Sequence, residues 1–161
     1  MISITKHTDY AIVILTHFSK NPSHLVSAKG LSTSLKLPYP TVSKLLKILA
    51  KSGLLESTQG AQGGYILRKP SSEISIASVV EAVEGPIAMT KCAMGTVGQC
   101  QTEDWCSVKP HWALINQVIK KSLEKLPLSA LLHPVSSKQI QDDSFDEVWN
   151  SLFRRTKESQ Q

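Results

Sequence analysis

Apolar residues recur every three or four positions in several stretches of the chain, and this spacing predicts amphipathic helices. The first stretch covers residues 5–20, and its apolar face would hold Tyr10, Val13, Ile14 and Phe18. Thr5 or Thr8 can cap the start of this helix, because a threonine hydroxyl accepts a hydrogen bond from a free backbone N–H. The turn-forming segment "NPSH" then ends the helix.

Two shorter helices follow, and the segment "LPYP" separates them. Ser27 can cap the first, which would run to about Lys36. A residue before proline is pushed out of the helical region, so the chain breaks here, and Pro40 suits the first position of the next helix. Gly53 would end that second helix. Its apolar side consists of Val42, Leu45, Leu46 and Leu49.

Two helices joined by a tight turn, the second basic on its exposed face, are typical of a helix-turn-helix, although any helical hairpin can show this spacing. A β-hairpin is predicted next: Leu54 and Leu55 start one strand, "YIL" forms the return strand, and "QGAQGG" supplies the turn. Gly63 and Gly64 would let the backbone approach a phosphate closely. A plain glycine-rich turn is the alternative, but the order helix, helix, hairpin favours a DNA-binding wing.

The second half of the chain predicts a short helix, a loop and a long helix. The short helix runs from about Ile76 to Glu84, and Gly85 and Pro86 end it. After the loop, "HWALINQVIKKSLEKL" is amphipathic, and its apolar stripe packs either on a second copy of the chain or on its own domain. The stripe consists of Trp112, Ile115, Ile119, Leu123 and Leu126.

These elements predict a mainly α fold with a small β-hairpin: a winged helix-turn-helix domain plus a long dimerisation helix. We divide the chain into a DNA-binding domain over residues 1–86, a cysteine-bearing loop over 87–109 and a dimerisation helix region over 110–133. Residues 134–161 form a polar tail.

Charge and composition narrow the function. Residues 27–69 carry seven lysines and arginines against one glutamate, which suits a polyanion such as double-stranded DNA, although a solvated lysine-rich surface gives the same count. No apolar run approaches the length of about 20 residues that spans a bilayer, and no signal peptide is evident. We therefore expect a cytoplasmic protein, and no nucleophile–base, P-loop or dinucleotide motif indicates an enzyme.

All three cysteines of the chain, Cys92, Cys100 and Cys106, lie within fifteen residues. In a cytoplasmic protein such a cluster argues against disulfides and towards metal or redox chemistry. Thiolates suit iron–sulfur clusters or zinc. Their spacing is wider than the two-residue spacing of structural zinc ribbons. A zinc site of the three cysteines and His111 is the main alternative.

The segments "ITKHTDYAIVIL", "LPYPTVSKLLKILAKSGLLES", "GAQGGYIL" and "ISIASVVEAVEGPIAMTKC" follow one another in order. With the trailing cysteines, they make the chain resemble the IscR/NsrR-type family of iron–sulfur winged-helix transcription regulators over residues 1–133. Within that family it looks most like the branch that regulates the SUF iron–sulfur assembly system. The resemblance implies a homodimer that binds a palindrome-like operator, and a 2Fe-2S or 4Fe-4S cluster held by three cysteines beside the dimerisation helix.

The resemblance leaves the fourth cluster ligand divided between two residues. Where IscR-like members place a histidine, this chain has Lys109, and His111 follows two positions later. Asp9 matches the aspartate that ligates the cluster in NsrR-like members, and we predict Asp9 as the ligand. The alternative for Asp9 is a carboxylate that stabilises the first helical turn through the helix dipole. The alternative for His111 is that it is an ordinary polar residue at the start of the long helix.

The family pattern also indicates which residues would contact DNA. Pro40, Thr41, Ser43 and Lys44 occupy the base-facing positions of the recognition helix, and Gln59 and Gln62 lie in the wing. Lys47 and Lys51 would contact phosphate, which positions a protein on DNA without reading its sequence. The predicted function is a cluster-dependent repressor of SUF assembly genes. The alternatives are a sensor of nitric oxide or redox state on the same scaffold, and a zinc-stabilised DNA-binding protein that senses nothing.

Overall fold

The computed structural model describes residues 4–60, 63–90 and 105–133, and these contain five α-helices, one β-hairpin and two short 3-10 helices. The α-helices are α1 Lys6–Lys20, α2 Ala28–Leu35, α3 Tyr39–Lys51, α4 Ile76–Glu84 and α5 Lys109–Lys125. The strands are β1 Leu55–Thr58 and β2 Gly64–Leu67, and the 3-10 helices are Ser71–Glu73 and Leu128–Leu132. The mainly helical architecture with one small hairpin is therefore confirmed.

Helix α1 is the centre of the core. Its buried apolar residues are Ala11, Ile14, Leu15 and Phe18. The prediction for Val13 was wrong, because the buried stripe runs along Ala11 and Leu15 and leaves Val13 38% exposed. The predicted threonine cap is confirmed in its position but not in its hydrogen bond. Thr5 occupies the N-cap position without a capping hydrogen bond, because the hydroxyls of Thr5 and Thr8 both donate to Glu84 instead.

Helices α2 and α3 form the predicted helix-turn-helix. The Ser27 hydroxyl accepts a hydrogen bond from the Gly30 N–H at 3.1 Å, so this cap is confirmed. Helix α3 begins one residue earlier than predicted, at Tyr39, so Pro40 is its second residue rather than its first. Gly53, at φ 76°, takes the left-handed conformation that turns the chain after α3. The predicted apolar side is confirmed, with Val42, Leu45, Leu46 and Leu49 all buried.

The hairpin is fixed to the chain that precedes α2. Strands β1 and β2 are antiparallel, with Leu55 opposite Leu67. Val26 and Tyr65 exchange both backbone hydrogen bonds at 3.0 Å, which extends the pairing by one residue on the open side of β2. The wing is thereby held beside the start of α2 rather than extending freely from the domain.

The end of the described chain returns to the main core. The Leu128 N–H donates to the Ile74 carbonyl at 2.7 Å, and the Ile76 N–H donates to the Leu126 carbonyl at 2.8 Å. Leu128 is fully buried in the same core as the α1 side chains. The predicted boundary between the cysteine-bearing loop and the dimerisation helix region, at residue 110, stays a prediction. Backbone hydrogen bonds nevertheless join the residues after α5 to residues 74–76 of the predicted DNA-binding domain. The predicted tail over residues 134–161 lies outside the described residues.

Candidate DNA interface and candidate metal centre

Helix α3 presents a basic outer face. Its buried side anchors the helix, and Lys44, Lys47 and Lys51 are exposed on the opposite side. Within the part of the chain that the structure describes, none of these three ammonium groups forms an ion pair. Unpaired, solvated lysines keep their full charge available for a polyanion.

The predicted base readers of α3 differ in accessibility. Pro40 is exposed at the first turn, whereas Thr41 and Ser43 are half-buried. Their short side chains can reach a groove only where DNA approaches the helix closely. Sequence reasoning missed Tyr39, which is 53% exposed at the start of α3. The signal was its position between two prolines, because a large aromatic side chain at an exposed helix start has little to pack against and is available for a ligand.

The wing lies next to the start of α2, and an open groove of about 360 Å³ separates them. Gln59 is exposed beside this groove, and Gln62 lies outside the described residues. The predicted approach of the two glycines to a phosphate stays a prediction, and the structure adds a second reason for their presence. A Cβ on Gly63 would lie 2.3 Å from the Thr58 carbonyl oxygen, and one on Gly64 would lie 2.9 Å from the Val26 carbonyl oxygen. The packing of the hairpin itself therefore requires both glycines, whether or not DNA approaches.

The predicted metal ligands are only partly described. Cys106 is half-buried just before α5, with a thiol free of any disulfide, whereas Cys92 and Cys100 lie outside the described residues. Asp9 is exposed in the first turn of α1, and its carboxylate has no hydrogen-bond or ion-pair partner among the described residues. His111 is exposed in the first turn of α5. The described residues contain no group of three potential ligands, so the ligand set stays a prediction.

Residues 85–89, which we call the connector, lead from α4 towards the cysteines, and their first anchor is Glu84. Its carboxylate accepts hydrogen bonds from the hydroxyls of Thr5 and Thr8, which joins the end of α4 to the start of α1. These hydrogen bonds, Thr5 first and then Thr8, hold the pKa of Glu84 below its ordinary value of 4.5. The same turn of α1 carries Asp9, so Glu84 links the connector to the segment of the candidate ligand.

The second anchor of the connector is Asn116 of α5. Its side-chain NH₂ donates to the Ile87 carbonyl at 3.2 Å, and its Oδ1 accepts from the Met89 N–H at 3.0 Å. A salt bridge of 2.8 Å between Lys120 and Glu81 joins α5 to α4. An apolar cleft of about 300 Å³ lies between the connector and α5, with Ile119 and Leu123 in its wall.

Helix α5 leaves most of its apolar residues uncovered. None of its residues is buried. The predicted stripe divides into two parts: Leu123 and Leu126 pack against the core, whereas Trp112 and Ile115 are 36% and 42% exposed. Leu114 and Val118, which the stripe did not include, are 62% and 58% exposed. Among the described residues, no helix is both long enough and apolar enough to cross a membrane.

A helix-turn-helix whose second helix is basic outside and apolar inside, followed by an anchored hairpin, defines a winged-helix DNA-binding protein. The comparison with known families gives the same class in more detail. The model of the Rrf2 family, described as iron-dependent transcriptional regulators, matches residues 4–134. The chain belongs to the Rrf2 family, and the resemblance to IscR/NsrR-type regulators is confirmed.

Individual relatives agree with this assignment. The chain is 30% identical to the HTH-type transcriptional regulator NsrR of Halalkalibacterium halodurans over 134 residues, which cover 81% of this chain and 90% of the relative. It is 34% identical to the regulator IscR of Serratia proteamaculans over 92 residues, or 57% of this chain and 55% of the relative. The structure of CymR, the global cysteine regulator of B. subtilis, has the same fold, with a TM-score of 0.63. That alignment covers 82% of this chain and 97% of CymR at 22% identity.

Proposed function

We propose that this DNA-binding regulator is a repressor of SUF iron–sulfur assembly genes whose DNA affinity depends on an iron–sulfur cluster. The observation that carries the proposal is the unpaired basic face of α3 beside an anchored wing, in a family described as iron-dependent. The SUF assignment rests on the motif resemblance. Double-stranded operator DNA is the partner, and the protein works in the cytoplasm, where that DNA is.

The ligands that we propose for the cluster are Cys92, Cys100, Cys106 and Asp9. Thiolates are the usual ligands of both 2Fe-2S and 4Fe-4S clusters. The half-buried Cys106 thiol, which forms no disulfide, and the exposed, unpartnered carboxylate of Asp9 are compatible with this donor set. When bound, the cluster would supply an oxidation-sensitive group that links the cysteine segment to Asp9 of α1. Loss of the cluster would remove this link. A carboxylate exchanges more readily than a thiolate, which suits a sensor.

A homodimer is the second part of the proposal, and the exposed apolar side chains of α5 support it. Leu114, Ile115 and Val118 are each more than 40% exposed on one helix. Contiguous exposed apolar surface on a monomer is unfavourable and marks an interaction surface. A second copy of the chain would cover it and place two recognition helices on a palindrome-like operator.

The proposed cluster is tested by purification without oxygen. We expect broad visible absorption from wild type and from His111→Ala, and none from Cys92→Ala, Cys100→Ala or Cys106→Ala. Asp9→Ala should retain a labile or spectrally altered cluster, because three thiolates remain. A colourless wild-type protein with one zinc per chain would instead support the zinc alternative. If His111→Ala loses the cluster and Asp9→Ala matches wild type, the fourth ligand is His111.

The target genes are tested by binding to DNA upstream of the SUF genes of the source genome. Holo- and apoprotein should differ in affinity for this DNA, because a bound group shifts a conformational equilibrium only through contacts that differ between the two states. Equal affinity of the two forms would contradict cluster-dependent regulation. Equal affinity for SUF and unrelated DNA would contradict the SUF assignment.

A further inference from the structure

The connector has no regular secondary structure, so its backbone groups need partners from elsewhere. Asn116 supplies two of them at once. A primary amide carries one acceptor oxygen and two N–H donors, and here the oxygen pairs with Met89 while the NH₂ pairs with the carbonyl of Ile87. In a parallel β-sheet, one residue of a strand likewise pairs with the carbonyl of residue i and the N–H of residue i+2 on the neighbouring strand. The Asn116 side chain therefore pairs with the connector as one residue of a neighbouring strand would.

The contact lies close in sequence to two of the three cysteines, one on each side. Met89 stands three residues before Cys92, and Asn116 is on the helix that begins three residues after Cys106. The contact therefore joins the two chain segments from which the cysteine-bearing stretch starts and to which it returns. It spans 27 residues of sequence, and the three residues concerned are half-buried, so water competes with it only partly.

We infer that Asn116 is a positioning residue for the proposed cluster: it fixes where the cysteine segment leaves the connector relative to α5. The inference rests on the proposed cluster, and it concerns a residue that is not itself a ligand. Without the contact, Met89 can shift relative to α5, so the point at which the chain leaves for Cys92 is no longer fixed relative to the helix that follows Cys106. Holding the ligands in place before the cluster binds reduces the conformational freedom that binding must remove.

The salt bridge between α4 and α5 does not replace the contact of Asn116 with the connector. Lys120 and Glu81 form a salt bridge at 2.8 Å, but both side chains are more than a third exposed, and such pairs contribute little. That salt bridge also joins helix to helix and leaves the connector untouched. Among the described residues, the Asn116 side chain therefore holds the connector at two points, the Ile87 carbonyl and the Met89 N–H.

The test compares cluster retention in four full-length proteins: wild type, Asn116→Leu, Asn116→Asp and Gln117→Glu. Leucine has nearly the size of asparagine but makes neither hydrogen bond. Aspartate keeps the acceptor for Met89 and turns a negative oxygen towards the Ile87 carbonyl. Gln117→Glu is the matched control, since it makes the same amide-to-acid change at the next, exposed position of α5.

After anaerobic reconstitution, we follow the loss of visible absorption in the presence of a chelator. Asn116→Leu should lose its cluster roughly tenfold faster than wild type, the size expected from two ordinary hydrogen bonds. Asn116→Asp should also lose it faster, and Gln117→Glu should match wild type. The melting of each cluster-free protein is recorded in parallel. A role in stability alone would lower the melting temperature of Asn116→Leu but leave its cluster spectrum and loss rate unchanged.

Each remaining outcome is decisive. If wild type holds a cluster and Asn116→Leu loses it at the wild-type rate, the positioning role is wrong while the proposed function stands. If Gln117→Glu accelerates the loss as much as Asn116→Asp, the effect belongs to charge on α5 and the inference is also wrong. If wild type binds no cluster under any reconstitution, the proposed function fails and this inference fails with it.

Discussion

Thr8 is the one buried polar side chain among the described residues, and it explains why α1 and α4 stay together at this point. Burying a hydroxyl is unfavourable unless it is hydrogen-bonded. The Glu84 carboxylate satisfies it and also accepts from Thr5. A charged acceptor strengthens both hydrogen bonds. The contact with Thr8 spans 76 residues, so no local pattern predicts it, and local reasoning assigned Thr5 or Thr8 to helix capping instead.

This cluster predicts a specific pH dependence. The pKa of Glu84 is lower in the folded protein than its ordinary value of 4.5. Its contribution to stability is therefore complete above the unfolded-state pKa and is lost as pH falls through the folded-state pKa. Glu84→Gln keeps an acceptor but does not titrate. We expect the variant to lose less stability than wild type as pH falls from about 6 to about 3 in chemical denaturation.

The control for this experiment is Glu56→Gln, which replaces an exposed carboxylate on β1 without a hydrogen-bond or ion-pair partner among the described residues. Its acid titration of stability should follow the wild-type curve. If Glu84→Gln and Glu56→Gln give the same curve, the carboxylate–hydroxyl cluster does not contribute to acid stability.

At the scale of the elements, local patterns predicted the helices well because their information is local. Ser27 caps α2 and Gly53 turns the chain after α3, and both residues act within four positions of themselves. Contacts that join distant elements were missed for the opposite reason. From its sequence neighbours alone, Asn116 is an ordinary polar residue of an amphipathic helix. Its contact with the connector spans 29 residues and exists only in the folded chain. Val13 was misassigned because several stripes of α1 are apolar, and neighbouring elements decide which one is buried.

The basic face of α3 predicts how its side chains divide the work of DNA binding. Lys47→Ala should weaken binding to all sequences similarly and reduce the slope of log affinity against log salt by about one, since one phosphate contact is lost. Thr41→Ala should change the preference between operators, with little effect on the salt slope. Fluorescence anisotropy at several salt concentrations, on operator and scrambled DNA, measures both. A change of preference in Lys47→Ala with an unaltered slope would reverse the two roles.

The packing of the wing predicts that Gly63 cannot be replaced. A Cβ at this position would lie 2.3 Å from the Thr58 carbonyl oxygen, so the turn must rearrange. Gly63→Ala should reduce the free energy of unfolding by about 1–3 kcal/mol, in the range of overpacked sites, and weaken DNA binding. Ser72→Ala, at an exposed position of the first 3-10 helix that does not line the groove beside the wing, is the control and should do neither. Wild-type stability and DNA affinity in Gly63→Ala would mean that the turn is more adaptable than its packing indicates.

For the whole molecule, the division of α5 into a packed and an exposed part indicates how a dimer would form. Leu123 and Leu126 hold the helix to its own core, which leaves Leu114 and Val118 for a second copy. Substituting Ile119, within the predicted stripe, is a poor test, because Ile119 lines the cleft against the connector. A charge there would disturb the fold as well as the interface.

Val118→Asp is the sharper test of the dimer, because Val118 is 58% exposed and a charge there costs the isolated chain little. In a dimer the same carboxylate would be desolvated without a partner, which costs several kcal/mol when two copies meet. We expect wild type to sediment as a dimer at micromolar concentration. Val118→Asp should sediment as a folded monomer with wild-type circular dichroism and much weaker binding to a full palindrome. Gln117→Asp, one position away, tests whether added charge alone causes the effect. A wild-type monomer, or a Val118→Asp dimer, would contradict association through this face of α5.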